Sequence, residues 1–202
     1  MYETSSGHNT ALIIDFAPFP NGTIEALQVS TAKALGDYVS ACYGKPIVQT
    51  SGNSTLLTLM PSGAVSMDRV VVREDQRLGQ IVRAFTITAT LGNGSVVQLT
   101  PAGSSIGNKF IQVFEPLTVA ALTLNVTGLS ANPATPGGPF LTDFSAYSCE
   151  AAGAAASASL QQQGFEQPPY VHTAVRIREA EAAAAAKGGS SSASAPRRRR
   201  LA

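Results

Sequence analysis

Residues 66–91 read SMDRVVVREDQRLGQIVRAFTITATL, two runs rich in β-branched and aromatic residues on either side of a polar turn that contains Gly79. From Arg83 to Thr88 polar and apolar side chains alternate, which places one set on a buried face of a strand and the other on a wet face. Similar runs surround this pair: STLLTLM (54–60), SVVQLT (95–100), GNKFIQVFE (107–115), LTVAALTLNVTGL (117–129) and FLTDFSAYS (140–148), separated by Gly, Pro and Asn. About seven or eight short strands within residues 46–149 predict an antiparallel β-sandwich. Asn93-Gly94, between two such runs, is the strongest hairpin turn in the chain.

Upstream the pattern changes. ALIIDFA, residues 11–17, is a nearly continuous apolar run closed by Pro18, Pro20 and Asn21-Gly22, as expected for a parallel strand buried on both faces. Thr23 is placed to cap a helix in which Ile24, Leu27, Ala34, Leu35, Tyr38 and Val39 recur at helical spacing until Gly44-Lys45-Pro46. Residues 1–45 thus read as one β/α unit. A single unit cannot cover both faces of its strand, so it belongs to something larger. Downstream, residues 150–202 turn Ala-, Ser- and Gln-rich and end in GGSSSASAPRRRRLA. Few large apolar side chains there offset the ordering entropy, so a low-complexity, disordered tail is expected, with Arg197 to Arg200 as a solvated end and a phosphate-binding or sorting cluster as the alternative.

Charge and motifs narrow the function. Residues 1–149 carry seven Lys/Arg against nine Asp/Glu, which leaves no basic stripe for nucleic acid. No apolar run reaches the roughly 20 residues that cross a bilayer, and MYETSSGHNT is too polar for a signal peptide; neither a membrane nor a nucleic acid is an expected partner. The chain has no Walker loop, no Gly-x-Ser-x-Gly and no His/Cys metal spacing, so no cofactor and no metal are expected. Glu74 and Asp75 with Arg69, Arg73 and Arg77 form a charge-dense turn, read as ion pairs and turn capping, with a calcium site as the alternative. Tyr43 and Tyr147 flank the two cysteines and read as core or edge packing, with a sugar-stacking platform as the alternative. Asn21, Asn53, Asn93 and Asn125 stand in N-x-S/T sequons, a surplus that points to glycosylation in a secretory compartment. Cys42 and Cys149 bracket the expected sandwich, and domain termini commonly lie together, so a disulfide is expected, with two separate buried thiols as the alternative.

The opening YETSSGHNTALIIDFAPFPNGTI, followed by a helix ending LGDYVSACYG, resembles the last β/α unit of the α-L-fucosidase family of retaining glycoside hydrolases. The following block is similar to that family's galactose-binding-like (jelly-roll) β-sandwich, with Glu74, Asp75, Gly79, Gln80, Val82, Phe85, Ile106, Gly107 and Lys109 at the places of its strand, turn and hairpin pattern. The family's barrel strand usually ends in Asn where this chain has Asp15, and its loop commonly has Arg where this chain has His8. Its nucleophilic Asp and acid/base Glu lie upstream of anything matching this chain.

The resemblance implies a mainly β fold: residues 1–45 as the last strand and helix of an incomplete (β/α)8 barrel, 46–149 as the sandwich, 150–202 as the tail. It implies the C-terminal portion of an enzyme that removes terminal α-L-fucose from glycans. His8, Asn9 and Asp15 would line the sugar pocket, none of them catalytic, since a retaining route needs two carboxyl groups about 5 Å apart. A fucosylated glycan is the implied partner of the full enzyme. The alternative is a non-catalytic carbohydrate-binding or assembly module.

Overall fold

The computed structural model describes residues 1–77, 79–100, 105–130 and 141–149. The expectations for residues 150–202, the arginine run included, fall outside the described residues. Within them lie one helix, α1 (Ala26–Tyr43), and strands β1 (Val48–Gly52), β2 (Leu56–Leu59), β3 (Val65–Glu74), β4 (Val82–Leu91), β5 (Val96–Gln98), β6 (Phe110–Leu129) and β7 (Leu141–Tyr147). The fold is mainly β, and every strand pair is antiparallel.

The strand order is β1-β7-β3-β6-β4-β5, with β2 also on β6. Strand β6 makes this possible. Phe110 to Val113 and Leu117 to Val119 pair with β3, whereas Leu122 to Asn125 pair with β2 on one edge and β4 on the other. The strand therefore leaves one half-sheet (β1-β7-β3-β6) and enters a second (β2-β6-β4-β5). A bulge interrupts the β3 pairing on the way: Leu117 faces Met67 and Val113 faces Arg69, so Phe114, Glu115 and Pro116 together oppose Asp68. The sequence suggested two strands split at Pro116. One continuous strand forms because the bulge asks no ladder hydrogen bond of the proline's missing N–H.

The two halves share one core. Val70, Val72, Phe144 and Ala146 from the first meet Leu59, Ile87, Leu122 and Leu124 from the second, and the Phe85 ring packs edge-on against Phe110 at 5.0 Å between centroids. Strand β4 shows the expected alternation, with Phe85, Ile87 and Ala89 buried. The β4–β5 hairpin turns at Asn93-Gly94, where Gly94 has φ of 84° and its N–H reaches the Leu91 carbonyl at 2.9 Å. Strand β1, VQTSG, was not expected from the sequence because it is short and polar. Its pairing to β7, Val48 opposite Ala146, supplies the order that its composition does not.

Strand β3 is buried on both faces from Met67 to Val72. Its outer face, with Val71, and the neighbouring Ile111, Val113 and Tyr147 lie under Tyr2 and Tyr43, so the N-terminal segment and the end of α1 form a cover. The N-terminal residues reach it through a series of turns and then add to the β6 edge: Ile111 donates to the Gly7 carbonyl at 2.7 Å and Asn9 to the Lys109 carbonyl at 3.1 Å. A Cβ on Gly7 would stand 2.3 Å from the Glu3 carbonyl oxygen and 2.8 Å from Ile111 Cβ, so only glycine permits this approach.

Two sequence expectations need correcting. Residues 11–17 form no strand, and Ile13 and Ile14 are 80% and 43% exposed. An apolar run becomes a buried strand only where neighbouring strands pair its backbone, and no strand lies beside this one among the described residues. Thr23 does not cap α1; its N–H and hydroxyl both donate to Asn21 Oδ1, at 3.0 and 2.7 Å. This local turn outcompetes the cap, and the helix starts after Glu25 with no side-chain cap.

Candidate functional site

The residues expected to line a sugar pocket do not share one environment. His8 bridges to Phe110 and meets its ring edge-on at 5.5 Å. Asn9 adopts a φ of 65°, and its Oδ1 accepts from the Asn108 N–H at 2.7 Å. Both are exposed side chains on the 107–110 hairpin, whereas Asp15 is exposed in the unpaired 11–17 segment. The four sequon asparagines, Asn21, Asn53, Asn93 and Asn125, are exposed too.

The charge-dense turn divides into two unlike parts. Glu74 is 4% exposed, and its carboxylate accepts from the N–H groups of Ile81 (2.5 Å), Val82 (2.8 Å) and Gly107 (3.2 Å). It ties the chain after the turn, at Ile81 and Val82, to Gly107 of the 106–109 hairpin, which gives Glu74 and Gly107 of that pattern a physical role. Asp75 takes two hydrogen bonds from the exposed Arg77 guanidinium, at 2.8 and 2.6 Å to Oδ2, and these hold its pKa below the ordinary carboxylate value.

The densest chemistry lies where Glu3, α1 and β3 meet. The Glu3 carboxylate accepts from the Tyr38 hydroxyl and from the Tyr43 hydroxyl at 3.1 Å, and lies 3.7 Å from the Arg69 guanidinium. Arg69 binds Asp68 with two hydrogen bonds, at 2.9 and 3.1 Å, and lies 5.3 Å from the Tyr43 ring centroid. Asp68 Oδ1 in turn accepts from the Cys149 N–H at 3.0 Å. Cys149 and Cys42 form a disulfide, with Cα atoms 4.5 Å apart. One network thus joins the N-terminus, the helix, the sheet and the end of β7. The sequence hid it because Glu3 and Arg69 are 66 positions apart and neither sits in a recognisable motif.

Its electrostatics suit anchoring rather than proton transfer. Burial, then the Glu3 charge, pushes the Tyr38 hydroxyl from 10.0 up to about 12. Tyr43 is raised by the same causes. Burial alone disfavours the Arg69 charge, but the Asp68 hydrogen bonds and nearby charge outweigh it and hold the cation firmly. The buried carboxylates of Glu3, Asp68 and Glu74 each have structural partners, so none is poised as nucleophile or acid. Because the folded-state pKa of Tyr38 lies above the unfolded value, its contribution to stability is intact below about pH 10 and is lost as pH rises towards 12. Urea midpoints should therefore fall between about pH 10 and 12, with two tyrosines ionising late by ultraviolet absorbance. Tyrosines that all titrate together near their ordinary value would contradict the network.

No protein-family model matches the chain, and no curated protein does. Solved structures do. An α-L-fucosidase structure from Bacteroides thetaiotaomicron is 33% identical over 73% of this chain, with a TM-score of 0.67, and this chain covers 32% of it. A glycoside hydrolase 29 family member from an unknown rumen bacterium is 21% identical over 84% of this chain and 28% of its own, with a TM-score of 0.62. A Ruminococcus gnavus GH29 fucosidase in complex with fucose is 16% identical over 75% of this chain and 36% of its own, with a TM-score of 0.63. The chain spans about a third of these proteins; over most of its length it is similar to a portion of an α-L-fucosidase.

Proposed function

We propose that this chain is the C-terminal portion of an α-L-fucosidase-like enzyme that hydrolyses terminal α-L-fucose from glycoconjugates, by double displacement and without a cofactor. The observation that carries the reading is the 33% identity, at a TM-score of 0.67, to a portion of the Bacteroides thetaiotaomicron fucosidase. The exposed apolar surface supports it. Ile13, Ile14, Phe19, Ile24, Leu27 and Val29 are all more than 40% exposed, a concentration that marks an unfilled packing face and is what a last β/α unit shows without its barrel neighbours. In this reading the nucleophile and the acid/base group stand elsewhere in the enzyme, and His8, Asn9 and Asp15 contribute only to the sugar pocket. The exposed sequons carry glycans, and the enzyme works in the secretory pathway or outside the cell.

The test is a chimera in which this chain replaces its matching third of the Bacteroides thetaiotaomicron protein. The chimera is expected to release aryl α-L-fucoside product, whereas the same protein with that third deleted, and this chain alone, do not. A folded but inactive chimera would overturn the reading. So would turnover by this chain alone that disappears in Asp15→Asn, because one carboxylate would then be acting where the mechanism needs two.

A further inference from the structure

Residues 11–17, ALIIDFA, are held at both ends and paired by nothing in between. On one side the Asn9 N–H donates to the Lys109 carbonyl at 3.1 Å, and Asn9 Oδ1 accepts from the Asn108 N–H at 2.7 Å. On the other, the Phe19 N–H donates to the Thr23 carbonyl at 2.7 Å, and Pro18 bridges to Ile24. Between these anchors no residue from 11 to 17 forms a backbone hydrogen bond among the described residues. The segment contains no proline, so each of its N–H and C=O groups can join a ladder. Because its ends are already fixed, ordering it as a strand costs less entropy than ordering a loose tail.

The side chains select the partner. In an extended segment Leu12, Ile14 and Phe16 share one face, and Ala11, Ile13, Asp15 and Ala17 the other; Leu12 and Phe16 are half-buried, whereas Ile13 and Asp15 are exposed. An antiparallel pair of two copies centred on Ile14 sets Ile14 against Ile14 and Leu12 against Phe16, so every residue of the inner face meets an apolar partner. Asp15 is the only charge in the segment. In this register it faces Ile13 and meets its own counterpart only diagonally, about 7 to 8 Å away, whereas a parallel in-register pair would set the two carboxylates directly opposite. The pairing uses the same patch on both copies and closes at two. Ile13, Ile14, Phe19, Ile24, Leu27 and Val29, between 43% and 80% exposed, present on the order of 600 Å² per copy, so two copies reach the roughly 1,200 Å² at which stable interfaces begin. We propose that residues 11–17 pair antiparallel with the same segment of a second copy, across a two-fold axis at Ile14, so that this chain forms a dimer. In a protein that also carried neighbouring barrel strands, one of those would take the same edge; the dimer belongs to this chain on its own.

The test begins with sedimentation equilibrium of the full chain, which at about 50 µM should give the mass of two chains, as a small interface of this kind associates at micromolar concentration. Ile14→Lys sets two like charges directly opposite at the axis and should weaken association about tenfold or more, with the circular dichroism spectrum unchanged. Cysteine cross-linking reads the register. Ile14→Cys places two thiols where facing Cα atoms stand about 4.5 to 5.5 Å apart, within reach of a disulfide, and should oxidise to a covalent dimer. Ala11→Cys, whose two copies would stand about 20 Å apart, should not. The proposal is overturned by a monomer at that concentration, by a mass beyond two chains, by Ile14→Lys associating as the wild type does, or by equal cross-linking at both positions. A monomer whose 11–17 amides are nonetheless protected from exchange also overturns it, and assigns the edge to residues 150–202 of the same chain. Should Ile14→Lys fail to fold, the wild-type mass and the cross-linking still decide. The readout is mass rather than turnover, so failure here leaves the hydrolase reading standing.

Discussion

Replacing Cys42 and Cys149 together by serine is expected to lower the unfolding free energy by about 4 to 5 kcal/mol, because the bond closes a loop of about a hundred residues and so restricts the unfolded chain. The two residues are 107 positions apart in sequence and only 4.5 Å apart at Cα. Their side chains are also 1% and 4% exposed and pack with Ala34 and Tyr38, so serine hydroxyls there would want partners the site does not offer. The measurement is the urea midpoint of the double variant, and of the reduced wild type, followed by far-ultraviolet circular dichroism. A shift under about 1 kcal/mol would mean that the other contacts already hold the two ends together in the unfolded ensemble.

Arg69→Met should cost about 3 to 5 kcal/mol, the range found when one member of a buried charge cluster is removed and its partners are left unpaired. Arg69 is 7% exposed, and its loss leaves the Glu3 and Asp68 carboxylates buried with no cation between them. Adding Glu3→Gln should restore part of the loss, since the amide oxygen can still accept from Tyr38 and Tyr43 while the charge is gone. If Glu3→Gln deepens the defect, the network is held by hydrogen-bond geometry rather than by charge balance. Arg69→Met and the cysteine variants should not be additive, because Asp68 bridges Arg69 to the Cys149 backbone.

How far the sequence reveals this molecule depends on how local each signal is. Alternation marks β4 correctly because one face of that strand is wet, and Asn93-Gly94 marks its hairpin because the backbone there needs a positive φ. The run at 11–17 misleads because burial is a property of neighbours, and a sequence pattern cannot show whether they are there. Strand β1 escapes notice for the opposite reason: a polar pentapeptide is ordered by a partner nearly a hundred residues away. Of the site residues, the cysteines are legible because their placement at the two ends of the strand-rich region is itself the signal. Glu3 and Tyr38 are not legible, and Arg69, which reads with the 74–77 turn, pairs instead with Asp68 and Glu3 inside the fold; these roles exist only when the N-terminal turns lie across β3.

The long β6 strand has a consequence for how the molecule opens. It contributes an edge to both half-sheets, so neither can peel away without disturbing the backbone hydrogen bonds of the other. Amides in β7 and β4 lie on opposite sides of the bulge at Pro116, yet both should exchange with solvent only through a common global opening. Such coupling leaves few partly open forms to be cut by proteases or to pair with foreign strands, and it makes the fold all-or-none along a single shared segment.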